Sequence, residues 1–170
     1  VETGSREESA QKKSPMTVAP TIRIQEADFD IAHEIAALTQ GRTDIGAVVS
    51  FSGICRGSEN GEPIAALTLE HYPGMAEEEI KRHADDAMAR WPLTGLTVIH
   101  RVGRIAPGAN IVLVLTASQH RQAAFHAAEF LMDYLKTNAP FWKREESAKG
   151  SSWIEARDHD DAAAARWTKS

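Results

Sequence analysis

The sequence predicts an α+β fold, with mixed and antiparallel strands packed against about three helices. Strand-like apolar runs occur as neighbouring pairs between helical stretches, which favours sheets with helices laid on them over a doubly wound sheet. The glycines agree, because no stretch reads GxGxxG or GxxxxGK[ST], the phosphate-cradling patterns of doubly wound and P-loop folds. The 170 residues are 42% apolar, enough for one well-formed core and too few for two.

Thr21 to Ile24 alternate polar and apolar and give a short first strand. Asp30 is a candidate N-cap for a helix over Ile31 to Thr39, striped by Ile31, Ile35 and Leu38 and stopped by Gly41. Gly46 to Ile54 reads as a buried strand that runs into the polar turn Arg56 to Glu62. Ile64 to His71 returns as a second strand, so residues 45–71 are expected to form a long hairpin. Met75 to Trp91 has helical periodicity, with Ala76, Ile80, Ala84, Ala87, Met88 and Trp91 on one face. Leu96 to Val102 and Ile111 to Ala117 are strands around the turn Gly103 to Asn110. Residues 119–136 make a third helix, with Ala124, Phe125, Ala128, Leu131, Tyr134 and Leu135 as its apolar face. Trp153 to Ala156 is a candidate last strand.

Residues 1–16 are polar and aperiodic and read as a disordered tail ahead of a start near Met16, leaving residues 17–157 as one domain. Residues 158–170 read either as a short helix or as a tail that orders against a partner; Trp167 needs something to pack on. The net charge of −5 is dispersed, which gives no global case for nucleic-acid binding. No apolar run approaches the roughly 20 residues that span a bilayer, and no signal-peptide segment is evident. A single cysteine, Cys55, permits no internal disulfide and is too little for a zinc cage. These features suit a cytoplasmic protein that uses no metal.

The most informative stretch is Lys136-Thr-Asn-Ala-Pro-Phe-Trp-Lys-Arg-Glu145. Pro140 cannot continue the preceding helix and biases Ala139 away from helical geometry. Lys136 therefore belongs to the last helical turn and Lys143 to the next segment, with Phe141 and Trp142 available to anchor the turn by burial. The two amines meet only if the chain turns back or if they approach one ligand from different elements. The alternative is a solvated lysine favoured by the helix dipole, followed by an ordinary basic flank. Spacing leaves both open.

Ser118-Gln-His-Arg121 lies where an apolar strand hands over to a helix. Helix-start amides with His120 and Arg121 would make an anion site; otherwise Ser118 is an N-cap with two exposed side chains after it. Cations are disfavoured at that end of the dipole, which weighs toward a functional reason. Arg56 projects from the end of a buried strand, and Arg157 closes the last one. His33, His83 and His100 fit structural or solvated positions. The serines lack a GxSxG elbow, and Cys55 reads as an inert strand residue.

Five segments in order carry a resemblance: Val48-Val-Ser-Phe-Ser-Gly-Ile-Cys-Arg56, Leu69-Glu-His-Tyr-Pro-Gly-Met75, His100-Arg-Val-Gly-Arg104, Ser118-Gln-His-Arg121 and Lys136 to Glu145. Together they resemble the large, catalytic subunits of molybdopterin synthase, from about Thr21 to Arg157. The resemblance implies an α/β hammerhead-type fold and a sulfur transferase. Its substrate would be the cyclic pyranopterin monophosphate precursor, converted to the dithiolene of molybdopterin. The sulfur donor would be a small ubiquitin-like partner whose C-terminal Gly-Gly tail ends in a thiocarboxylate, in a heterotetramer built on a dimer of large subunits. No cofactor is implied. The implied catalytic residues are Lys136 and Lys143, and the implied substrate-binding residues are Phe51, Arg56, His120, Arg121, Met132 and Arg157. On this reading Lys136 polarises the thiocarboxylate or moves a proton, and Lys143 steadies the opposite face or the leaving phosphate. The alternative is a non-enzymatic adaptor that binds the tail of a ubiquitin-like partner, a role that would not need both lysines.

Overall fold

Residues 18–154 and 158–169 are described by the structure, a computed structural model. In chain order the elements are β1 (Thr21–Gln25), α1 (Ile31–Thr39), β2 (Ala47–Ile54), β3 (Ser58–Glu59), β4 (Glu62–His71), α2 (Met75–Arg90) and β5 (Leu93–Arg101). They continue as β6 (Gly103–Ile105), β7 (Asn110–Ser118), α3 (Arg121–Thr137), β8 (Phe141–Ser147), β9 (Gly150–Ile154) and α4 (Asp158–Ala165), closed by a 3₁₀ turn over Arg166–Lys169. One sheet has the order β1-β5-β7-β2, with β1 parallel to β5 and the other pairs antiparallel. The second has the order β3-β4-β8-β9, with β6 also on β4.

The expected hairpin over 45–71 is not formed. Along its length β2 pairs with β7, from Ala47 opposite Ser118 to Ile54 opposite Asn110. The buried strand β7 needs a ladder partner on each side, and β5 and β2 supply them. The chain then crosses to the second sheet through Cys55-Arg56-Gly57. Only a miniature hairpin survives, Ser58 opposite Pro63 and Glu59 opposite Glu62. Asn60 and Gly61 turn it with φ of 49° and 81°, the paired left-handed geometry of a two-residue primed turn.

Alternation along the first sheet explains its two cores. Leu96, Val98, Val112 and Val114 face Ile80, Ala84 and Ala87 of α2 and Phe130 and Leu131 of α3. Ile99, Leu113 and Leu115 point the other way, to Phe29 and the Ile31, Ile35 and Leu38 stripe of α1. As expected, Asp30 caps α1, its Oδ1 accepting from the backbone N of His33 at 3.0 Å. Of the expected buried face of α3, Ala124, Ala128 and Leu131 are buried, joined by Ala123, Ala127 and Phe130, whereas Phe125 is 59% exposed. After the strands, α4 lies on α3, and Trp167 finds its packing edge-on against Trp91 and Phe130. Its Nε1 donates to Asp133 at 2.6 Å.

Buried His100 stacks on Phe141 with ring centroids 4.0 Å apart, tying β5 to β8. Its Nδ1–H donates to the carbonyl of Arg101 at 2.8 Å. Burial pushes its pKa down to about 4, partly opposed by that hydrogen bond and helped by His71. The unfolded chain therefore takes up this proton first, and the stability His100 contributes is complete above about pH 6.5. It is lost as pH falls towards about 4, by up to about 3 kcal/mol from this group. Urea midpoints at pH 7 and pH 4.5 should show a fall that shrinks in His100→Phe; an equal fall in both proteins contradicts the assignment.

Candidate active site

Helix α3 ends as its sequence requires. The amides of Asn138 and Ala139 both donate to the Tyr134 carbonyl, at 2.8 and 3.2 Å, and Pro140 removes the next donor. Phe141 N then donates to Ala139 O at 2.8 Å, which completes the reversal. The following run, read from sequence as a polar flank, is strand β8, antiparallel to β4. Phe141, Lys143 and Glu145 lie opposite His71, Leu69 and Leu67, so Lys143 shares a face with the small core of Cys55, Leu67, Leu69 and Ile105. Trp142 points the other way and is 51% exposed; of the two expected anchors only Phe141 is packed.

The reversal brings the lysines together. Lys143 is half-buried and its amine is pushed below the usual lysine range, first by desolvation and then by the charge of Lys136. Arg56 adds to the depression, while Glu145 and Glu59 oppose it. Lys136 itself is exposed at the helix end. Next to them the buried Cys55 thiol is pushed up, chiefly by burial, with Lys143 and Arg56 pulling the other way. A raised thiol is a poor nucleophile, in keeping with an inert Cys55. Exposed Arg56 is paired with Glu59 at 2.5 Å. Three cations from a helix end, a strand and a crossover loop thus share one region of the surface with two carboxylates. This arrangement suits an anionic ligand that also needs a proton moved.

Met132 stands one turn before Lys136 on α3, at the rim of the main core, and Phe51 is 38% exposed on β2. His120 and Arg121 do not join the lysines within one chain. They are exposed at the opposite end of α3, about 24 Å away at 1.5 Å per residue. Ser118 is not the cap; His120 holds that position with no side-chain hydrogen bond. Ser118 Oγ instead donates to Pro92 O at 2.8 Å and accepts from His120 N at 3.3 Å. Gly46 locks this corner to β2, its N donating to Ser118 O at 3.0 Å. A Cβ there would sit 2.1 Å from the Gln119 carbonyl oxygen, so no larger residue fits. Arg157 lies outside the described residues.

The MoaE protein family model matches residues 24–138 of the chain. A molybdopterin synthase catalytic subunit from Mesorhizobium japonicum is 64% identical over 155 residues, covering 90% of this chain and 96% of that one. The chain belongs to the MoaE family. The catalytic subunit from Rhizobium meliloti is 58% identical over 156 residues, with 91% and 99% covered. Among solved structures, the MoaE protein of Burkholderia ambifaria superposes with a TM-score of 0.75 at 48% identity, over 88% of this chain and 98% of that one. The hammerhead-type α+β fold expected from the sequence is therefore the fold of this MoaE chain. None of its described helices is long and apolar enough to cross a membrane, and no group of described residues is placed to hold a metal ion.

Sequence reasoning missed Glu59 and Glu145. The signal for Glu59 was the Asn60-Gly61 turn beside it, which fixes where its side chain starts; Glu145 follows Lys143 by two residues and so shares its face.

Proposed function

We propose that this chain is the catalytic subunit of a molybdopterin synthase. It transfers sulfur from the C-terminal thiocarboxylate of a small ubiquitin-like subunit to cyclic pyranopterin monophosphate, forming the dithiolene. The observation that carries this reading is the meeting of Lys136, Lys143 and Arg56 around a half-buried amine of lowered pKa. An adaptor for a peptide tail gains nothing from a lysine whose pKa is lowered by burial beside a second lysine.

The chemistry follows from the groups present. A thiocarboxylate is already an anionic sulfur nucleophile, so no cysteine has to be activated. Its sulfur bonds to a substrate carbon as that carbon's bond to oxygen breaks, the oxygen leaving with the ring phosphate in one transfer and as water in the other, which leaves the donor tail attached as a thioester. Water then cleaves the acyl–sulfur bond, returning the tail as a carboxylate and leaving the sulfur on the pterin. Lys143, whose amine is pushed below the usual lysine range by burial and by the charge of Lys136, is suited to take the proton from that water, which reverses the emphasis that sequence alone placed on Lys136. Exposed Lys136 donates to the acyl oxygen as negative charge develops on it. Arg56 holds the phosphate as the cyclic ester opens. Two sulfurs require two donor tails in succession. The raised Cys55 thiol stays outside the reaction.

His120 and Arg121 enter through a second copy. β2 is an edge strand of its sheet, with Phe51 and Ile54 exposed. Its first residues adjoin the start of α3 through Gly46, and its last lead into Arg56. Antiparallel pairing of two β2 edges about a two-fold axis sets the beginning of one strand beside the end of the other. Each lysine pair would then face the partner copy's anion-binding corner. The test of the function is direct: purified chain, thiocarboxylated small subunit and precursor should yield dithiolene, and a donor ending in an ordinary carboxylate should not. Absence of product from a folded, partner-bound chain overturns the reading.

A further inference from the structure

We propose that Glu59 is a positioning residue of this site, which orients Arg56 and balances the charge of the lysine pair until substrate arrives. The inference rests on the sulfur-transfer reading above and adds a residue to it. Glu59 is the last residue of β3, immediately before the Asn60-Gly61 turn, and its backbone is pinned by pairing with Glu62. Its side chain is 16% exposed, whereas that of Arg56, its partner at 2.5 Å, is 62% exposed. The carboxylate is therefore the fixed member of the pair and the guanidinium the one being held. An arginine of that exposure, left alone, samples many rotamers; tied at one nitrogen, it presents its remaining donors in a fixed direction.

The charge balance supports a role beyond packing. Around the Lys143 amine stand Lys136 from α3, Arg56 from the crossover, Glu145 from β8 itself and Glu59 from β3, with the Cys55 thiol close by. Three cations gathered before any anion is bound repel one another, and Glu59 and Glu145 offset that repulsion. Glu145 is carried by the same strand as Lys143. Glu59 comes from a different element, β3, and is the carboxylate paired to Arg56. When a phosphate binds Arg56, it shares the guanidinium with Glu59, so the carboxylate also limits how tightly the substrate anion is retained once the ester has opened.

Two substitutions separate reach from charge. Glu59→Gln keeps the shape and removes the charge. It should raise KM for the precursor roughly tenfold, the worth of one charge-assisted hydrogen bond, through loss of Arg56 orientation. It should also move the limb of the pH–rate profile that follows Lys143 to lower pH, because a negative neighbour is gone. Glu59→Asp keeps the charge and shortens the arm; KM should rise while the pH limb stays near that of the parent. A readout free of turnover is the NMR titration of Lys143 in protein carrying ¹³C-labelled lysine, where Glu59→Gln should titrate at lower pH than the parent. Parental KM, pH profile and Lys143 titration in a folded Glu59→Gln overturn the proposal. Failure of the parent protein to make product would instead strike the sulfur-transfer reading, and the NMR comparison would still decide the role of Glu59.

Discussion

Lys136→Ala is expected to lower dithiolene formation by at least about 10²-fold while leaving the fold and the partner complex intact. The residue sits exposed in the last turn of α3 and takes no part in the core, so its removal should shift the unfolding midpoint little. The informative comparison is with arginine at each lysine. Lys136→Arg retains a permanently charged donor and should recover part of the lost rate, because the role assigned to Lys136 is to stabilise developing negative charge. Lys143→Arg should recover nothing over Lys143→Ala, since a guanidinium cannot be neutral near pH 7 and so cannot accept the proton. Single-turnover assays of the four variants with the thiocarboxylated donor make the measurement. Equal rescue at both positions would mean that the depressed amine of Lys143 is incidental to the reaction. Undiminished product from Lys136→Ala would remove Lys136 from the catalytic site.

Mixing two inactive proteins should restore activity. Arg121→Ala and Lys136→Ala homodimers each lack one half of every composite site, and both should be nearly silent at low precursor. A heterodimer of the two carries one site with both defects and one with neither. Random exchange makes about half of the dimers mixed, each with one of its two sites intact, so activity should return to about one quarter of the parent level. Sites built within single chains would give no gain over the unmixed variants, and that outcome would dismiss the β2-to-β2 arrangement. A disulfide introduced across the proposed strand pair should lock the dimer and abolish the exchange.

Much of the fold was legible because its helices are periodic and well bounded. Asp30 opens α1 and Pro140 follows the end of α3, both local signals with local causes. The partner of β2 was not legible, since an apolar strand of eight residues fits β4 or β7 equally by pattern. Long-range burial of β7 decides between them. Strand β8 escaped detection because its inward positions after Phe141 are Lys143 and Glu145, so the alternation that marks a strand is written there in charges. Phe125 misled because an aromatic beside Ala124 was taken for core, whereas the buried face of α3 runs through Ala123, Ala124, Ala127, Ala128, Phe130 and Leu131 and leaves Phe125 outside. Pro140 showed that the two lysines sit on different elements and the resemblance supplied their roles, but the lowered pKa of Lys143 was not legible, because burial is a property of the sheet face and not of the spacing.

The short reversal between α3 and β8 has a consequence for how this chain can vary. A strand carries its side chains on alternating faces, so the number of residues between Pro140 and Lys143 decides by parity which ones look inward. Inserting or deleting a single residue there, with the pairing to β4 otherwise kept, would turn Lys143 outward and deliver Trp142 or Arg144 to the site. Two such changes of the same sign would restore the face but move the amine by a residue pair along the strand, about 7 Å, out of reach of Lys136. The linker between the two lysines is thus constrained in length more strictly than in composition. Single-residue insertions and deletions between Pro140 and Lys143 should be tolerated far less than substitutions at Thr137 or Asn138.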